Sequence, residues 1–354
     1  MGSKRIIMQR LLLVLGSLLV MLIALECVLR GIAHRPTPSP IGDRSPFFYV
    51  PDEDRDHPWS RGATNVLRIA VIGDSFTVGE GVQGDDRYAN RLERLLNMQS
   101  KKPPVNVRVF AECGTSTFQQ VALLDEALKW NPRIVVLGIC LNDMEDWANP
   151  KELLRWREGL FPNTPPRWLA RVFQCSRALD WMYHRLQAAQ MEREELRYYR
   201  RLYKPSYRGV SRFRESIKTM NDKCVDAHVV FVPMIWPLLS EKFQAGCYPF
   251  EYAHEAIRQR CEELKVPCLD LLPFFRDASP DRLQVIPGID PHPNEIAHRM
   301  AAETLMLFLL DKRYISKGYR PDQQESACSQ HGLWEQIMER INGAAGAWHK
   351  PSTK

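Results

Sequence analysis

A serine directly after a short apolar run is the first residue in this chain whose position suggests chemistry. Ser75 follows Gly73 and Asp74 at the end of the run, and a turn containing Gly79 and Gly81 comes next. A serine in this place can cap the following helix, or it can be a nucleophile near backbone N–H groups that face a developing negative charge. A serine hydroxyl is a weak nucleophile without a positioned base, so the choice depends on whether the chain supplies one.

The candidate base is a histidine in a proline-flanked loop much later in the chain. His292 lies in DPHPN, with Asp290 two residues before it and Asn294 at the start of the last predicted helix. An aspartate so close to a histidine can fix the tautomer of the imidazole and stabilise its protonated form. A structural role for His292 is the alternative, and a backbone carbonyl could share the orienting role. The pattern favours Ser75, His292 and Asp290 as catalytic residues of a nucleophilic mechanism.

Two further positions that follow predicted strands could stabilise the negative charge of an oxyanion. Gly114 lies in AECGTST and Asn142 lies in CLND, each after an apolar run. Backbone N–H groups and side-chain amides are suitable donors because they need no proton transfer. We therefore expect an oxyanion hole formed by Ser75, Gly114 and Asn142, whereas Asp74 and Asp143 are expected to brace the neighbouring turns.

Alternating apolar runs and helical patterns are the elements that must position these residues. The predicted strands are 67–72, 105–111, 134–141, 229–235 and 266–271, and the predicted helices are 86–98, 118–130, 210–227, 251–264 and 294–310. Continuous Val, Ile and Leu runs are typical of a parallel sheet covered on both faces, which indicates a three-layer α/β domain. The carboxyl ends of parallel strands share one edge, so the four polar segments are expected to meet there.

The segments GDSFTVGEGV, CGTSTFQQ, CLND and DPHPN, in this order, resemble the four conserved blocks of the SGNH/GDSL hydrolase family. The resemblance covers roughly residues 67–310, apart from one insertion. It implies a flavodoxin-like fold with a mainly parallel five-stranded sheet and a Ser/His/Asp site that cleaves esters. Ser75 would be the nucleophile and first oxyanion donor, with Gly114 and Asn142 completing the hole. His292 would act as general base and then as general acid.

The chain departs from the usual family pattern at two positions. The third block is usually Gly-x-Asn-Asp, but Cys140 stands at the glycine position, where a larger side chain is expected to narrow the acyl pocket. The family often has an aspartate three residues before the histidine. Here Ile289 occupies that position and Asp290 is one residue closer to His292. The orienting role of Asp290 therefore depends on the geometry of the loop.

The N-terminal region, residues 1–33, is predicted to be a membrane anchor or a signal segment. Lys4, Arg5 and Arg10 precede an uncharged stretch of 15 residues, 11–25, and the apolar part can be extended to residues 6–29. Small residues suitable for a signal-peptide cleavage site are absent directly after the apolar run, which favours an uncleaved single-pass helix. The basic residues before it indicate that the body lies outside the cytoplasmic membrane, in the periplasm or at the cell surface. Cleavage, and hence secretion, is the alternative.

The rest of the chain is divided as a linker at 34–64, a hydrolase domain at 65–312 with a helical insertion at 144–208, and a C-terminal extension at 313–354. Residues 151–208 contain 13 Lys and Arg against 6 Asp and Glu, a net charge of +7 in a chain of net charge +6. This segment is either a solvated arginine-rich helical face or a surface for an anionic glycan or lipid. Nothing in the sequence indicates a nucleic-acid partner.

Metal or cofactor chemistry is not predicted. The chain has 9 cysteines but no C-x-x-C pair, and the acidic run DEDRD lacks the glycine and glutamate of a calcium loop. Eight cysteines beyond the N-terminal region could form disulfides in an oxidising compartment. Trp147, Trp156 and Trp236 could stack on sugar rings, although buried aromatic residues are commoner.

These observations predict a serine-dependent ester hydrolase that acts outside the cytoplasmic membrane through an acyl-enzyme on Ser75. O-acylated cell-envelope glycans are the expected substrates, because anchoring suits a polymer. An O-acyltransferase with the same site is one alternative. A second alternative is a catalytically inactive glycan-binding or assembly protein with the same fold.

Overall fold

Five strands form one parallel sheet in the computed structural model of the chain. The structure describes residues 2–33, 65–98, 103–148, 150–158, 160, 176–240, 243, 247–288 and 290–319. The five strands are β1 (Leu67–Gly73), β2 (Val105–Ala111), β3 (Ile134–Ile139), β4 (Val230–Ile235) and β5 (Leu269–Asp270). Two shorter strands, β6 (Gln284–Ile286) and β7 (Asp290–Pro293), form a separate antiparallel ribbon.

The strand order in the main sheet is β2-β1-β3-β4-β5, and all of its pairs are parallel. Ile69 lies opposite both Val107 on β2 and Ile134 on β3, so β1 is paired on both sides and lies between these two strands. In this order the chain reverses direction across the sheet between β1 and β3, and ligands of open α/β sheets bind outside the carboxyl ends at such a point. The predicted flavodoxin-like, five-stranded parallel fold is confirmed.

The helices of the structure include the five that the sequence predicts after strands, with bounds shifted by two residues at most. They are α1 (Gly2–Ala33), α2 (Ser75–Val78), α3 (Tyr88–Asn97), α4 (Thr117–Lys129), α5 (Pro150–Glu158), α6 (Arg177–Leu202), α7 (Arg208–Asp226), α8 (Glu251–Glu263), α9 (Leu272–Phe275) and α10 (Glu295–Asp311). α3 packs against α10, and α4 packs against α7. The residues 69–72 of β1 and 134–137 of β3 are fully buried, which explains why these strands are apolar without alternation.

Two parts of the sheet region differ from the sequence prediction. The strand predicted at 266–271 is only two residues long, at Leu269–Asp270. The segment around His292, predicted as a loop, is the strand β7, paired with β6. Proline is tolerated at Pro291 and Pro293 because both strands of a two-stranded ribbon are edge strands, in which one side of the backbone makes no ladder bonds.

The chain divides into two compact units. One comprises Met1–Ser45 and Lys151–Tyr198, and the other comprises Pro46–Pro150 and Tyr199–Lys354, which contains both sheets. In the first unit, the segment Ile6–Arg30 of α1 is long and apolar enough to cross a membrane, and a signal sequence has the same properties. The predicted linker 34–64 and the extension beyond residue 319 lie outside the described residues.

Within the first unit, the last part of α1 is tied to the start of α6 by one carboxylate. Glu26 Oε2 accepts hydrogen bonds from Ser176 Oγ at 2.9 Å and from the Ala178 backbone N–H at 2.8 Å. Glu26 Oε1 also accepts from Arg30 Nε at 2.6 Å. A carboxylate at the N-terminus of a helix satisfies free N–H groups and interacts favourably with the helix dipole. Glu26 therefore caps the 26-residue helix α6.

Candidate active site

Ser75 lies at the junction between β1 and α2, a helix of one turn. The Asp74 carboxylate accepts a hydrogen bond of 3.0 Å from the Phe76 N–H and so caps this helix. A Cβ atom on Gly73 would lie 2.1 Å from Thr77 Oγ1, so only glycine allows the strand to turn into the helix so sharply. The serine hydroxyl is thereby presented at the carboxyl edge of a central strand.

Three side chains from opposite ends of the sequence form a hydrogen-bonded line. Ser75 Oγ lies 3.1 Å from His292 Nε2, and His292 Nδ1 lies 2.6 Å from Asp290 Oδ1. The same carboxylate oxygen accepts from the His292 backbone N–H at 3.1 Å. An Nδ1–H that donates to Asp290 leaves Nε2 without a proton and able to accept one from Ser75. The structure therefore brings Ser75, His292 and Asp290 together in the geometry of a nucleophile, a base and an orienting carboxylate.

The charges around His292 favour its protonated form. Burial by itself lowers the pKa of His292, but the hydrogen bond and charge of Asp290, with smaller contributions from Glu80 and Asp74, raise it above its ordinary value. The hydrogen bond from His292 in turn lowers the pKa of Asp290, with burial opposing it. Asp290 is thus ionised when it faces the ring, as an orienting carboxylate must be.

A second carboxylate at this histidine, Glu80, was not predicted from the sequence. Glu80 Oε2 lies 3.4 Å from His292 Nε2, and the Glu80 side chain is 52% exposed. Its local signal is limited to the flanking glycines Gly79 and Gly81, which mark a tight turn five residues after Ser75. Nothing in that turn indicates that a residue from the ribbon at the other end of the domain would lie against it.

The two other predicted oxyanion donors follow the strands on either side of β1. Gly114 lies in the turn after β2 with φ at +74°, a left-handed conformation that favours glycine, although a Cβ there would meet nothing within 4 Å. Asn142 lies after β3 and is half-buried. Within the described part of the chain, the N–H groups of Ser75 and Gly114 and the Asn142 side-chain amide have no hydrogen-bond partner. They are therefore free to donate to a ligand.

A cluster of buried polar side chains supports the turn that carries Ser75. Cys140 Sγ donates to Asp74 Oδ1 at 3.3 Å, and the Cys140 N–H donates to Asp143 Oδ2 at 3.2 Å. Asp143 also accepts from Thr117 Oγ1 at 3.1 Å. The thiol of Cys140, only 2% exposed, is thus engaged with Asp74, and the narrowing of an acyl pocket by Cys140 stays a prediction. As predicted, Asp74 and Asp143 brace turns.

Burial disfavours the ionised forms of Asp74, Asp143 and Cys140. Desolvation raises the pKa of Asp74 to about 6, and desolvation together with the charge of Asp74 raises the pKa of Asp143 well above its ordinary value. The same two causes raise the pKa of Cys140, so its thiol remains a protonated donor. Cys140 is therefore a structural donor rather than a nucleophile.

The expected sugar-stacking role does not hold for Trp236. This ring is 1% exposed and makes edge contacts with Phe76, Tyr88 and His298, so it belongs to the core beneath Ser75. Trp147 and Trp156 are only partly buried.

Among the residues that the structure describes, no group of three or more His, Cys, Asp or Glu side chains is placed to hold a metal ion. Six of the cysteines within the described ranges are free thiols, namely Cys27, Cys140, Cys224, Cys247, Cys261 and Cys268.

Several solved structures of esterases are similar to this chain. An acetyl xylan esterase, AlAXEase, aligns with 12% identity and a TM-score of 0.45, covering 69% of this chain and 100% of that chain. An acetylxylan esterase from Geobacillus stearothermophilus aligns with 14% identity and a TM-score of 0.43, covering 69% and 92%. The psychrotrophic esterase EstA from Pseudoalteromonas sp. aligns with 14% identity and a TM-score of 0.41, covering 70% and 98%.

The family is shown by the sequence itself. No curated protein matches the chain significantly. The model of the GDSL-like Lipase/Acylhydrolase family, however, matches residues 71–300, well over half of the chain. This span begins on β1, just before Ser75, and ends within α10, after His292. The chain therefore belongs to the GDSL-like lipase/acylhydrolase family and is a serine hydrolase of the SGNH/GDSL type that acts on ester bonds.

Proposed function

We propose that this protein removes O-acyl groups, acetyl in the first place, from cell-envelope glycans outside the cytoplasmic membrane, with Ser75 as the nucleophile. The observation that carries the proposal is the continuous line from Ser75 Oγ through the His292 ring to Asp290, with distances of 3.1 and 2.6 Å. Those are hydrogen-bonding distances for a nucleophile, its base and the group that orients the base.

In the first half of the reaction, His292 Nε2 takes the proton of Ser75 Oγ as this oxygen attacks the ester carbonyl carbon. The tetrahedral intermediate places its negative charge on the former carbonyl oxygen. The N–H groups of Ser75 and Gly114 and the Asn142 amide are the donors proposed to stabilise it. When the bond to the alcohol oxygen breaks, His292 returns the proton to that oxygen, and the acyl group remains on Ser75.

In the second half, His292 takes a proton from water as the water attacks the acyl-enzyme. Collapse of the second intermediate releases a carboxylic acid and returns the proton to Ser75. A sugar hydroxyl in place of water would yield a new ester, so the same residues support an O-acyltransferase. The two activities differ in whether bound acceptor excludes water from the acyl-enzyme.

Retention of α1 as a membrane anchor is supported by a contact that this helix makes. Because Glu26 caps α6 through Ser176 and Ala178, removal of residues 1–33 as a signal would leave the start of α6 without this cap. Retention of α1 as a single-pass anchor is therefore favoured over cleavage. An anchored enzyme is held near the envelope polymers, and the basic segment 151–208, of net charge +7, suits an anionic glycan or lipid at that surface.

The nucleophile is tested by covalent labelling of the full-length protein in detergent with a fluorophosphonate probe. We expect wild-type protein to be labelled and to hydrolyse p-nitrophenyl acetate, and Ser75→Ala to do neither. Ser116→Ala is the matched control, because Ser116 also begins a helix after a strand but has no histidine partner. Labelling that survives Ser75→Ala would falsify the proposed role. No labelling and no turnover by wild type, with retention of glycans, would favour the non-catalytic glycan-binding alternative.

The substrate and the location are tested separately. Release of acetate from acetylated xylan or mannan, with simultaneous loss of polymer-bound acetyl, is expected from wild type and not from Ser75→Ala. The intact mass of protein extracted from membranes should include residues 1–33. The exposed Cys247 should react with a membrane-impermeant maleimide added outside the membrane. A soluble mature form that lacks residues 1–33 would contradict anchoring.

A further inference from the structure

The carboxylate of Glu80 lies beside the atom that transfers the proton to the leaving alcohol. Glu80 Oε2 is 3.4 Å from His292 Nε2, and Ser75 Oγ is 3.1 Å from the same nitrogen. The alcohol oxygen of a bound ester must approach Nε2 to receive its proton. A bound ester would therefore bring its alcohol half close to Glu80.

Glu80 is held in place by its backbone. Its N–H donates to the carbonyl oxygen of Ser75 at 3.1 Å, and its neighbours Gly79 and Gly81 have φ values of +76° and +82°. A Cβ on Gly81 would lie 2.6 Å from the Val285 side chain on β6, so the turn is packed against the ribbon that carries His292. Glu80 is thus fixed relative to both the nucleophile and the base.

The proton transfers do not require Glu80. His292 already has Asp290 on Nδ1 to orient the ring, and a second carboxylate at Nε2 competes with Ser75 for that nitrogen. Its side chain is 52% exposed, and a carboxylate has about four acceptor positions, so most of them remain open to a ligand. A charged acceptor on a fixed backbone position at this point suits a hydrogen-bond donor next to the ester oxygen.

We propose that Glu80 determines specificity for the alcohol half of the substrate. Its carboxylate accepts a hydrogen bond from a hydroxyl group on a carbon adjacent to the ester-bearing carbon, as in an O-acylated sugar. Esters of polyols are therefore favoured over esters of simple alcohols, and alcohols with a negative charge at that position are disfavoured. This inference rests on the proposed ester cleavage by Ser75 and His292.

The test compares two acetates with the same acyl group and with leaving alcohols of the same carbon skeleton. Glycerol 1-acetate carries two hydroxyl groups that propyl acetate lacks, so the ratio of kcat/KM for the two isolates recognition of the hydroxyls. Glu80→Ala is expected to lower this ratio roughly 10-fold or more, since a hydrogen bond to a charged group is at stake. Glu80→Gln keeps a neutral acceptor and should lie between Glu80→Ala and wild type. The control is Glu295→Gln, which removes an exposed carboxylate three residues after His292 and should leave the ratio unchanged.

The pH profile separates recognition from a purely electrostatic effect on the base. Asp290, Glu80 and Asp74 all favour protonated His292, so loss of Glu80 alone should move the acid limb of kcat/KM to lower pH for both esters. A moved limb with an unchanged ratio means that Glu80 acts only on His292, which overturns the proposal, as does an equal loss of activity on both esters. If wild type hydrolyses neither acetate, the proposed function fails together with this inference. If wild type hydrolyses both acetates and the ratio of kcat/KM is the same without Glu80, this inference alone fails.

Discussion

Among its described residues, the domain contains two histidine–aspartate pairs that are nearly identical in geometry and opposite in surroundings. His292 Nδ1 lies 2.6 Å from Asp290 Oδ1, and His254 Nδ1 lies 2.8 Å from Asp270 Oδ1. The side chains of the first pair are 25% and 32% exposed, whereas those of the second are 1% and 2% exposed. The difference lies in what each histidine faces with its other nitrogen. His292 Nε2 faces Ser75 and Glu80.

In the buried pair, His254 Nε2 lies 3.5 Å from the hydroxyl of Tyr248, which accepts a hydrogen bond of 2.8 Å from the Leu238 N–H. Asp270 also accepts from the Leu272 N–H at 3.0 Å and contacts Arg258 at 3.4 Å. This network joins α8, the end of β5 and the start of α9. An imidazole–carboxylate pair is therefore not in itself catalytic. Access to solvent and an activatable hydroxyl at Nε2 make the difference.

The largest effect should come from removing the exposed histidine. His292→Ala removes the base of both half-reactions, and we expect kcat/KM for an acetate ester to fall roughly 10⁵-fold with little change in thermal stability. Steady-state kinetics and a melting curve on the same preparation measure the two quantities. Residual activity within about tenfold of wild type would show that another group serves as the base.

The next largest effect should follow from neutralising the orienting carboxylate. Asp290→Asn removes the acceptor for Nδ1–H, and we expect kcat to fall about 10³- to 10⁴-fold because the ring loses its preferred tautomer. Since Asp290 helps to raise the pKa of His292, the acid limb of the pH–rate profile should also move to lower pH. An acid limb at the same pH as in wild type would show that Asp290 does not raise the pKa of His292.

The buried pair should respond in stability and not in chemistry. Asp270→Asn leaves His254 and its polar neighbours without a charged partner, and we expect a loss of roughly 3–5 kcal/mol in the free energy of unfolding. Although burial opposes it, the charge and hydrogen bond of His254 hold the pKa of Asp270 below its ordinary value. This stabilisation is therefore present above about pH 4 and is lost as the pH falls further, so the difference between wild type and variant should shrink in acid.

The control for that prediction is the activity of the folded variant. At a temperature well below its melting transition, Asp270→Asn should retain kcat/KM within about threefold of wild type, because Asp270 touches none of the reacting groups. A large loss of kcat in a protein that remains folded would show that the two pairs are coupled. The distinction between a structural pair and a catalytic pair would then be wrong.

The two pairs also differ in how far sequence could predict them. Asp290 and His292 are two residues apart in a segment with a family pattern, and Ser75 closely follows an apolar run, so the sequence predicts the exposed pair and its serine. The strands were predictable because full burial on both faces produces continuous apolar runs. The strand β7 was not predictable, because Pro291 and Pro293 normally argue against a strand.

The remaining features depend on contacts between distant segments that leave no local pattern. Glu80 meets His292 across 212 residues, and His254 on α8 meets Asp270 only because α8 packs next to β4 and β5. Cys140 at the usual glycine position indicates a larger side chain there, but not the direction in which that side chain points. The direction of its thiol depends on Asp74, which lies 66 residues earlier in the chain.

The smallest effect concerns the buried carboxylate under the nucleophile, which is unlike both pairs because it has no histidine bonded to it. Burial raises the pKa of Asp74 to about 6 in the folded protein, against an ordinary value of 3.8. The folded state therefore holds this proton more tightly than the unfolded state, and the stabilisation is complete below about pH 4 and lost as the pH rises through about 6. Asp74→Asn keeps Oδ1, which accepts from both Phe76 and Cys140, and removes the charge. We expect this variant to be more stable than wild type by roughly 1–3 kcal/mol above pH 6, with the difference vanishing towards pH 4. Chemical denaturation of both proteins at several pH values measures this difference in stability. A difference that does not change with pH would show that burial does not raise the pKa of Asp74.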